Sequence, residues 1–320
     1  MKWPWIWIDR YALYDLHKEK SAKSLFSDLE EIDLNTVRFA DGQTSFSSTI
    51  HDVRDGKRYG TYESAVTWPS KFVEHDQMAG DFVLPEAETK DTLIAIHGWR
   101  MDGLDRIRGV FEEVCKNQSI NLYMPHLPFH LKRKPDTSAY SGELLVSADV
   151  SQTILALNQA IVEIKQLIDY VRKTHGGRVM LAGISFGGYI ANLVATKHEV
   201  DGLFSVFFPD NLAHSIWNTI PGKFIKADLA TNGYTFDKLN HAWACVHPSS
   251  FTPKLSPDRI VLIQGLYDQY IDFEDASVLW EKWGHPKRVV MKAGHAAIVL
   301  KRKQLANHAH DFIRQIRSLG

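Results

Sequence analysis

A chain of 320 residues, 44% hydrophobic and 23% charged, can bury one large α/β core or two small ones, and this composition excludes a disordered protein. Its formal net charge of −1, with both signs mixed along the chain, excludes a partner recruited by a field of one sign, nucleic acid above all. The two cysteines, Cys115 and Cys245, lie too far apart to read as a disulfide framework or a zinc spacing, which points to a reducing, cytoplasmic setting.

Trp3, Trp5 and Trp7 lie in an apolar opening run that Asp9 and Arg10 stop too early for a signal-peptide core. No apolar run reaches the length of a membrane span. The three tryptophans are expected to pack on the body of the protein, contact with a lipid interface being the other reading. Leu25, Leu29 and Ile32 fall on one face and predict a helical segment. Residues 36–85 alternate in short runs broken by glycine and proline, as antiparallel hairpins at a sheet edge do. Residues 1–84 therefore read as an N-terminal extension to a domain over 85–320.

From residue 91 the pattern is regular. Thr92 to Ile96 is an apolar strand ending in His97-Gly98-Trp99, and Leu104 to Val114 is helical. Leu122 to Pro125 is a short strand that enters a long loop, His126 to Glu143. Ile154, Leu157, Ile161, Ile164, Ile168 and Val171 then form one apolar stripe, closed by Gly176-Gly177. Strands follow at Val179–Ala182, Gly202–Phe208, Ile260–Ile263 and Val289–Met291, and a final helix from about Ala297. Alternating strand and helix is the pattern of a parallel sheet covered on both faces. Residues 211–257 break the rhythm with Trp217, Phe224, Leu229, Tyr234, Leu239 and Trp243, and predict a helical cap inserted over the strand ends.

The chemistry centres on Gly183-x-Ser185-x-Gly187. The motif lies between a buried strand and an amphipathic helix. A serine lifted above a sheet end needs a sharp strand-to-helix turn, where side chains two residues to either side would collide. A hydroxyl is a poor nucleophile until a base takes its proton, and a carboxylate must orient that base. Such groups come from loops at the carboxyl ends of strands. His295, after the last strand, is the candidate base. Asp268, after the preceding strand, is the candidate orienting acid, with Asp210 its competitor and Asp272 and Asp275 deeper in the loop. The N–H of Phe186 is one oxyanion donor, and the Trp99 N–H the candidate for the other, with Arg100 second choice. His97 reads as a structural hydrogen-bonding residue.

The order Ser185, Asp268, His295, with His97-Gly98-Trp99 upstream, resembles the α/β-hydrolase superfamily over about residues 85–320. The resemblance implies an α/β fold with an eight-stranded, mostly parallel sheet, a Ser-His-Asp triad and acyl-transfer chemistry. Ser185-Phe186-Gly187-Gly188-Tyr189-Ile190-Ala191 is also similar to the elbow of prolyl-oligopeptidase-like peptidases, but the chain is too short for their propeller domain. The expectation is therefore a carboxylesterase acting on a small-molecule ester without a cofactor. A peptidase or amidase, a thioesterase or lipase, and an inactive scaffold of the same fold are the other readings.

The loop from His126 to Pro135 leaves a strand end near the oxyanion turn. Its His130 and Arg133 are candidates for binding an acidic part of a substrate; a solvated basic turn is the other reading. His126 and His130 have no carboxylate or cysteine nearby in sequence, so no metal site is expected, and no dinucleotide or phosphate-loop motif appears. Oligomeric state is not legible.

Overall fold

Nine strands form one sheet among the residues that the computed structural model describes, 2–21, 23–30, 46–65 and 77–319. They are β1 (Phe46–Arg54), β2 (Lys57–Ala65), β3 (Gln77–Pro85), β4 (Thr92–Ile96), β5 (Asn121–Pro125), β6 (Val179–Ile184), β7 (Gly202–Val206), β8 (Ile260–Gly265) and β9 (Lys287–Met291). Their order is β1-β2-β3-β5-β4-β6-β7-β8-β9. The pairings from β5 to β9 are parallel, and β1, β2 and β3 add an antiparallel edge, one strand more than the eight implied. β4 to β8 are buried along their whole length, which is why they read as unbroken apolar runs.

The helices are α1 (Trp3–Leu16), α2 (Asp105–Gln118), α3 (Val150–His175), α4 (Phe186–Lys197), α5 (Leu212–Asn218), α6 (Lys223–Thr231), α7 (Phe236–Ala242), α8 (Phe273–Lys282) and α9 (Arg302–Ser318). α2 and α9 cover one face of the sheet, where Phe111, Phe312 and Ile313 meet Leu93, Met180 and Phe204. α3, α4 and α8 cover the other, with Leu157, Ile164, Ile190 and Leu279 against Ile94, Leu181 and Leu262. The apolar stripe of α3 runs between a cap at Asp149, whose side chain accepts the Gln152 N–H, and Gly176 at φ 75°. No helix among the described residues is long and apolar enough to cross a membrane.

Between β7 and β8, α5, α6 and α7 stand over the carboxyl ends of the strands. Trp243, fully buried, donates from Nε1 to the Val150 carbonyl (3.2 Å), and the Tyr189 hydroxyl donates to Val246 O (2.6 Å). These bonds tie the inserted segment to α3 and α4.

The N-terminal helix is not where Leu25 and Leu29 placed it. It is Trp3–Leu16, while residues 24–30 are non-helical and Ser27 bridges to Asp149; Ile32 lies outside the described residues. Pro4 suits a first helical turn, where its missing N–H costs nothing. The helical period then sets Trp5, Asp9 and Leu13 towards the protein and Trp3, Trp7, Tyr11 and Tyr14 away from it. Trp5 packs against the core, but Trp3 and Trp7 remain 64% and 66% exposed, so only one of the three tryptophans is covered as expected.

Candidate active site

Ser185 sits at the turn from β6 into α4 with φ 59° and ψ −125°, a backbone conformation costly for any residue with a Cβ. The glycines around it explain how the turn closes. A Cβ on Gly183 would overlap the Gly187 backbone, and one on Gly187 would overlap the Ile96 carbonyl. Phe186 is the first residue of α4, so its N–H has no acceptor within the helix.

The loops after β8 and β9 bring the other two groups to this point. His295 Nε2 lies 2.9 Å from Ser185 Oγ, and His295 Nδ1 lies 2.7 Å from Asp268 Oδ2. The carboxylate can only accept, so Nδ1 carries the proton and Nε2 turns its lone pair to the hydroxyl. Asp268 Oδ1 accepts from the N–H groups of Tyr270 (2.8 Å) and Ile271 (2.9 Å), which fixes the carboxylate plane. The Tyr270 ring stacks on the imidazole with centroids 4.5 Å apart and planes 13° apart. Asp210, the competing acid, is engaged elsewhere: it accepts the N–H and hydroxyl of Ser249 in the segment that returns from the cap to β8.

The turn after β4 passes over the serine, and a Cβ on Gly98 would lie 3.4 Å from that of Ser185. Two buried histidines hold this turn. His97 Nε2 accepts the Leu127 N–H (3.1 Å) and its Nδ1 bonds the Gly98 carbonyl (2.8 Å). His130 Nε2 accepts the Arg100 N–H (3.3 Å) and its Nδ1 bonds Pro128 O (2.9 Å). Burial lowers the pKa of both, His97 well below the ordinary range and His130 to about 4, so both are neutral at pH 7. The Arg100 N–H, second choice for the oxyanion, thus already has an acceptor. The Trp99 indole donates to Gly142 O (2.8 Å), which fixes the residue whose backbone N–H is the first choice.

His130 and Arg133 are not at the cleft wall, and the expected anion-binding role does not fit their surroundings. His130 is fully buried with both ring nitrogens bonded. Arg133 is 2% exposed and grips Glu163 of α3 through two bonds of 2.6 and 2.7 Å, with a third to the His126 carbonyl. Arg133 forms a buried ion pair that staples the loop to α3, and its charge is spent on Glu163.

Above Ser185 lies a cleft of about 430 Å³. Val146, Leu212, Ile216 and Ile271 give it apolar walls, Trp99, Phe186 and Tyr270 its aromatic surface, and Ala12 and Leu16 of α1 close one side. Two contributors were missed from sequence, Tyr270 and helix α1. For α1 a signal existed: Trp5, Asp9, Leu13 and Leu16 share one helical face, so the charge that ends the apolar run lies on the buried side. Among the described residues no cluster of three or more metal-ligating side chains occurs.

A family model described as alpha/beta hydrolase domain containing 18 matches residues 96–206, from the end of β4 to the end of β7, Ser185 included. Uncharacterized protein YdjC of Bacillus subtilis is 48% identical over 113 residues, 35% of this chain and 97% of that protein. Uncharacterized protein Rv2627c of Mycobacterium tuberculosis is 26% identical over 228 residues, 69% of this chain; the chain spans 53% of that relative's length. Among solved structures, acetyl xylan esterase 1 from Thermoanaerobacterium sp. has a TM-score of 0.60 at 12% identity, covering 93% of each chain. The acylaminoacyl peptidase of Pyrococcus horikoshii has a TM-score of 0.55 at 14% identity, over 75% of this chain and 40% of its own. At these identities the likeness to both structures is one of fold.

Proposed function

The chain belongs to the α/β-hydrolase superfamily, and on that premise we propose that it is a serine hydrolase cleaving carboxylic esters through an acyl-serine intermediate. The observation that carries the reading is the unbroken chain of hydrogen bonds from Ser185 through His295 to Asp268, 2.9 and 2.7 Å long, at the floor of a cleft with both apolar and polar walls.

In this reading Ser185 Oγ attacks the ester carbonyl as His295 Nε2 takes its proton. Asp268 keeps the tautomer correct and stabilises the imidazolium. The carbonyl oxygen becomes an oxyanion that accepts from the N–H groups of Phe186 and Trp99, the first of them at the positive end of α4. Collapse of the tetrahedral adduct breaks the bond to the alkoxide, which leaves with the proton from His295. A water then attacks the acyl-serine by the same steps, giving the carboxylic acid and free Ser185. His295 relays each proton, from Ser185 to the leaving alkoxide and from the attacking water back to Ser185, and the reading calls on no cofactor. The apolar walls suit an acyl group of modest length, and a cleft of about 430 Å³ is within the usual range for a small ligand.

The test is a panel of p-nitrophenyl esters of graded acyl length, with the matched p-nitroanilide, on the wild type and Ser185→Ala. Ester turnover that disappears in the variant, with the anilide far slower, is the expected result. No ester turnover, or turnover that survives Ser185→Ala, overturns the proposal. Equal cleavage of the anilide makes the enzyme an amidase.

A further inference from the structure

The N-terminal helix does more than wall the cleft. Asp9 of α1 is completely buried and reaches across to the two loops that carry Asp268 and His295. Its Oδ2 accepts the N–H of His295 (2.8 Å) and of Gln269 (3.0 Å), and its Oδ1 accepts the N–H of Ala296 (2.8 Å). One carboxylate therefore holds the backbone of His295 and of the residue next to Asp268. These loops leave different strands, β8 and β9, and Asp9 belongs to neither. The fold reserves space for it: a Cβ on Gly294 would stand 2.7 Å from both Asp9 oxygens.

We propose that Asp9 is a positioning residue of the active site, which sets the separation and orientation of the His295 and Asp268 loops. The proposal rests on the serine-hydrolase reading above. Among the described residues Asp9 makes no ion pair, so its partners are backbone N–H groups alone. A buried carboxylate without a counter-ion is costly. Desolvation accordingly raises its pKa, the Asp268 charge adds to the rise, and the three N–H groups oppose it. A fold that needed only to close this corner could have used an apolar residue beside Leu13. A carboxylate with three convergent acceptor contacts instead fixes where two loops stand relative to each other, and errors of about 1 Å in such geometry cost about 100-fold in rate.

The chemistry of the contacts orders the variants. Asp9→Ala removes all three acceptances. Asp9→Asn can still take the His295 and Gln269 N–H groups on its single oxygen, but sets its amide against the Ala296 N–H. Gly294→Ala leaves Asp9 intact and pushes the carboxylate away. Tyr11→Ala, on the same helix and 74% exposed, is the control.

The experiment measures kcat and KM for p-nitrophenyl acetate, with the folded fraction of each variant taken from circular dichroism and all rates expressed per folded molecule. Asp9→Ala is expected to lower kcat about 100-fold with KM within about twofold. Asp9→Asn and Gly294→Ala should lower kcat by about tenfold or more, and Tyr11→Ala should match the wild type. If Asp9→Ala does not fold, Asp9→Asn and Gly294→Ala decide. A kcat per folded molecule within about threefold of wild type in those variants overturns the proposal and makes Asp9 a structural clamp only. If the wild type itself turns over no ester, the functional reading fails first; an active wild type, an inactive Ser185→Ala and an unaffected Asp9→Asn sink this inference alone.

Discussion

Replacing Asp268 by asparagine isolates the orienting role from the fold. Asp268 Oδ1 accepts two backbone N–H groups, from Tyr270 and Ile271, and Oδ2 accepts only the His295 ring N–H. An asparagine has one acceptor oxygen and one amide. If the oxygen kept the ring, the amide would face two backbone donors and leave both unpaired, at about 1–3 kcal/mol each. If the oxygen keeps the backbone, a single clash falls on His295. The second arrangement wins, so the amide donates to Nδ1 and the ring proton moves to Nε2. The imidazole then offers Ser185 a donor where the reaction needs an acceptor. General-base assistance is worth about 100- to 10,000-fold, and a reversed tautomer in a triad forfeits the upper part of that range. Asp268→Asn should therefore lower kcat on p-nitrophenyl acetate about 1,000- to 10,000-fold, with KM little changed and the melting temperature close to wild type. Steady-state rates and a thermal melt read both. A loss below about tenfold in a folded variant would refute the assignment of Asp268.

Other consequences follow from groups away from the serine. Gly187→Ala sets a Cβ inside the Ile96 carbonyl, a backbone atom that cannot swing aside, so the variant should lose more than about 4 kcal/mol or fail to fold; an unchanged urea midpoint contradicts the steric account of the elbow. Arg133→Ala strands the Glu163 carboxylate in the interior and should cost about 3–5 kcal/mol in urea unfolding, while kcat/KM per folded molecule drops no more for acidic esters than for neutral ones; a selective loss on acidic esters would return Arg133 to the cleft. The buried carboxyls of Asp210 and Asp275 titrate at about 6 and about 7, raised chiefly by desolvation from an ordinary 3.8. Their folded-state values lie above the unfolded ones, so their contribution to stability is complete below about pH 4 and is lost as pH rises through 6 and 7. Asp275→Asn keeps an oxygen for the Asp210 and Asn211 N–H groups and should lose less stability than the wild type between pH 5 and pH 8; an equal loss rules out Asp275 as a source of the slope.

The parallel half of the fold was legible because its signals are local. Buried strands read as short apolar runs, the α3 stripe repeats at helical spacing, and Gly183 and Gly187 announce a turn that tolerates no side chain. Asp268 and His295 were legible because strand-end loops gather at one rim, whatever the distance in sequence. The N-terminal region was harder to read. Leu25 and Leu29 have a helical spacing, but residues 24–30 are tied to distant parts of the chain: Ser24 bonds Asp228, and Glu30 N bonds Ser151. Arg133 looked like a ligand-binding cation because its partner, Glu163, lies on another element, and no local pattern announces a buried pair. Asp9 was read only as the end of an apolar run, since its three acceptances come from residues more than 250 positions away.

The central claim is that Ser185 is a nucleophile activated by His295. A fluorophosphonate probe incubated with the folded protein, followed by intact mass and peptide mapping, tests it most directly. The account predicts one adduct, on Ser185, absent from Ser185→Ala and formed far more slowly in His295→Ala. A folded wild type that takes up no probe, or takes it up on a different residue, would contradict it.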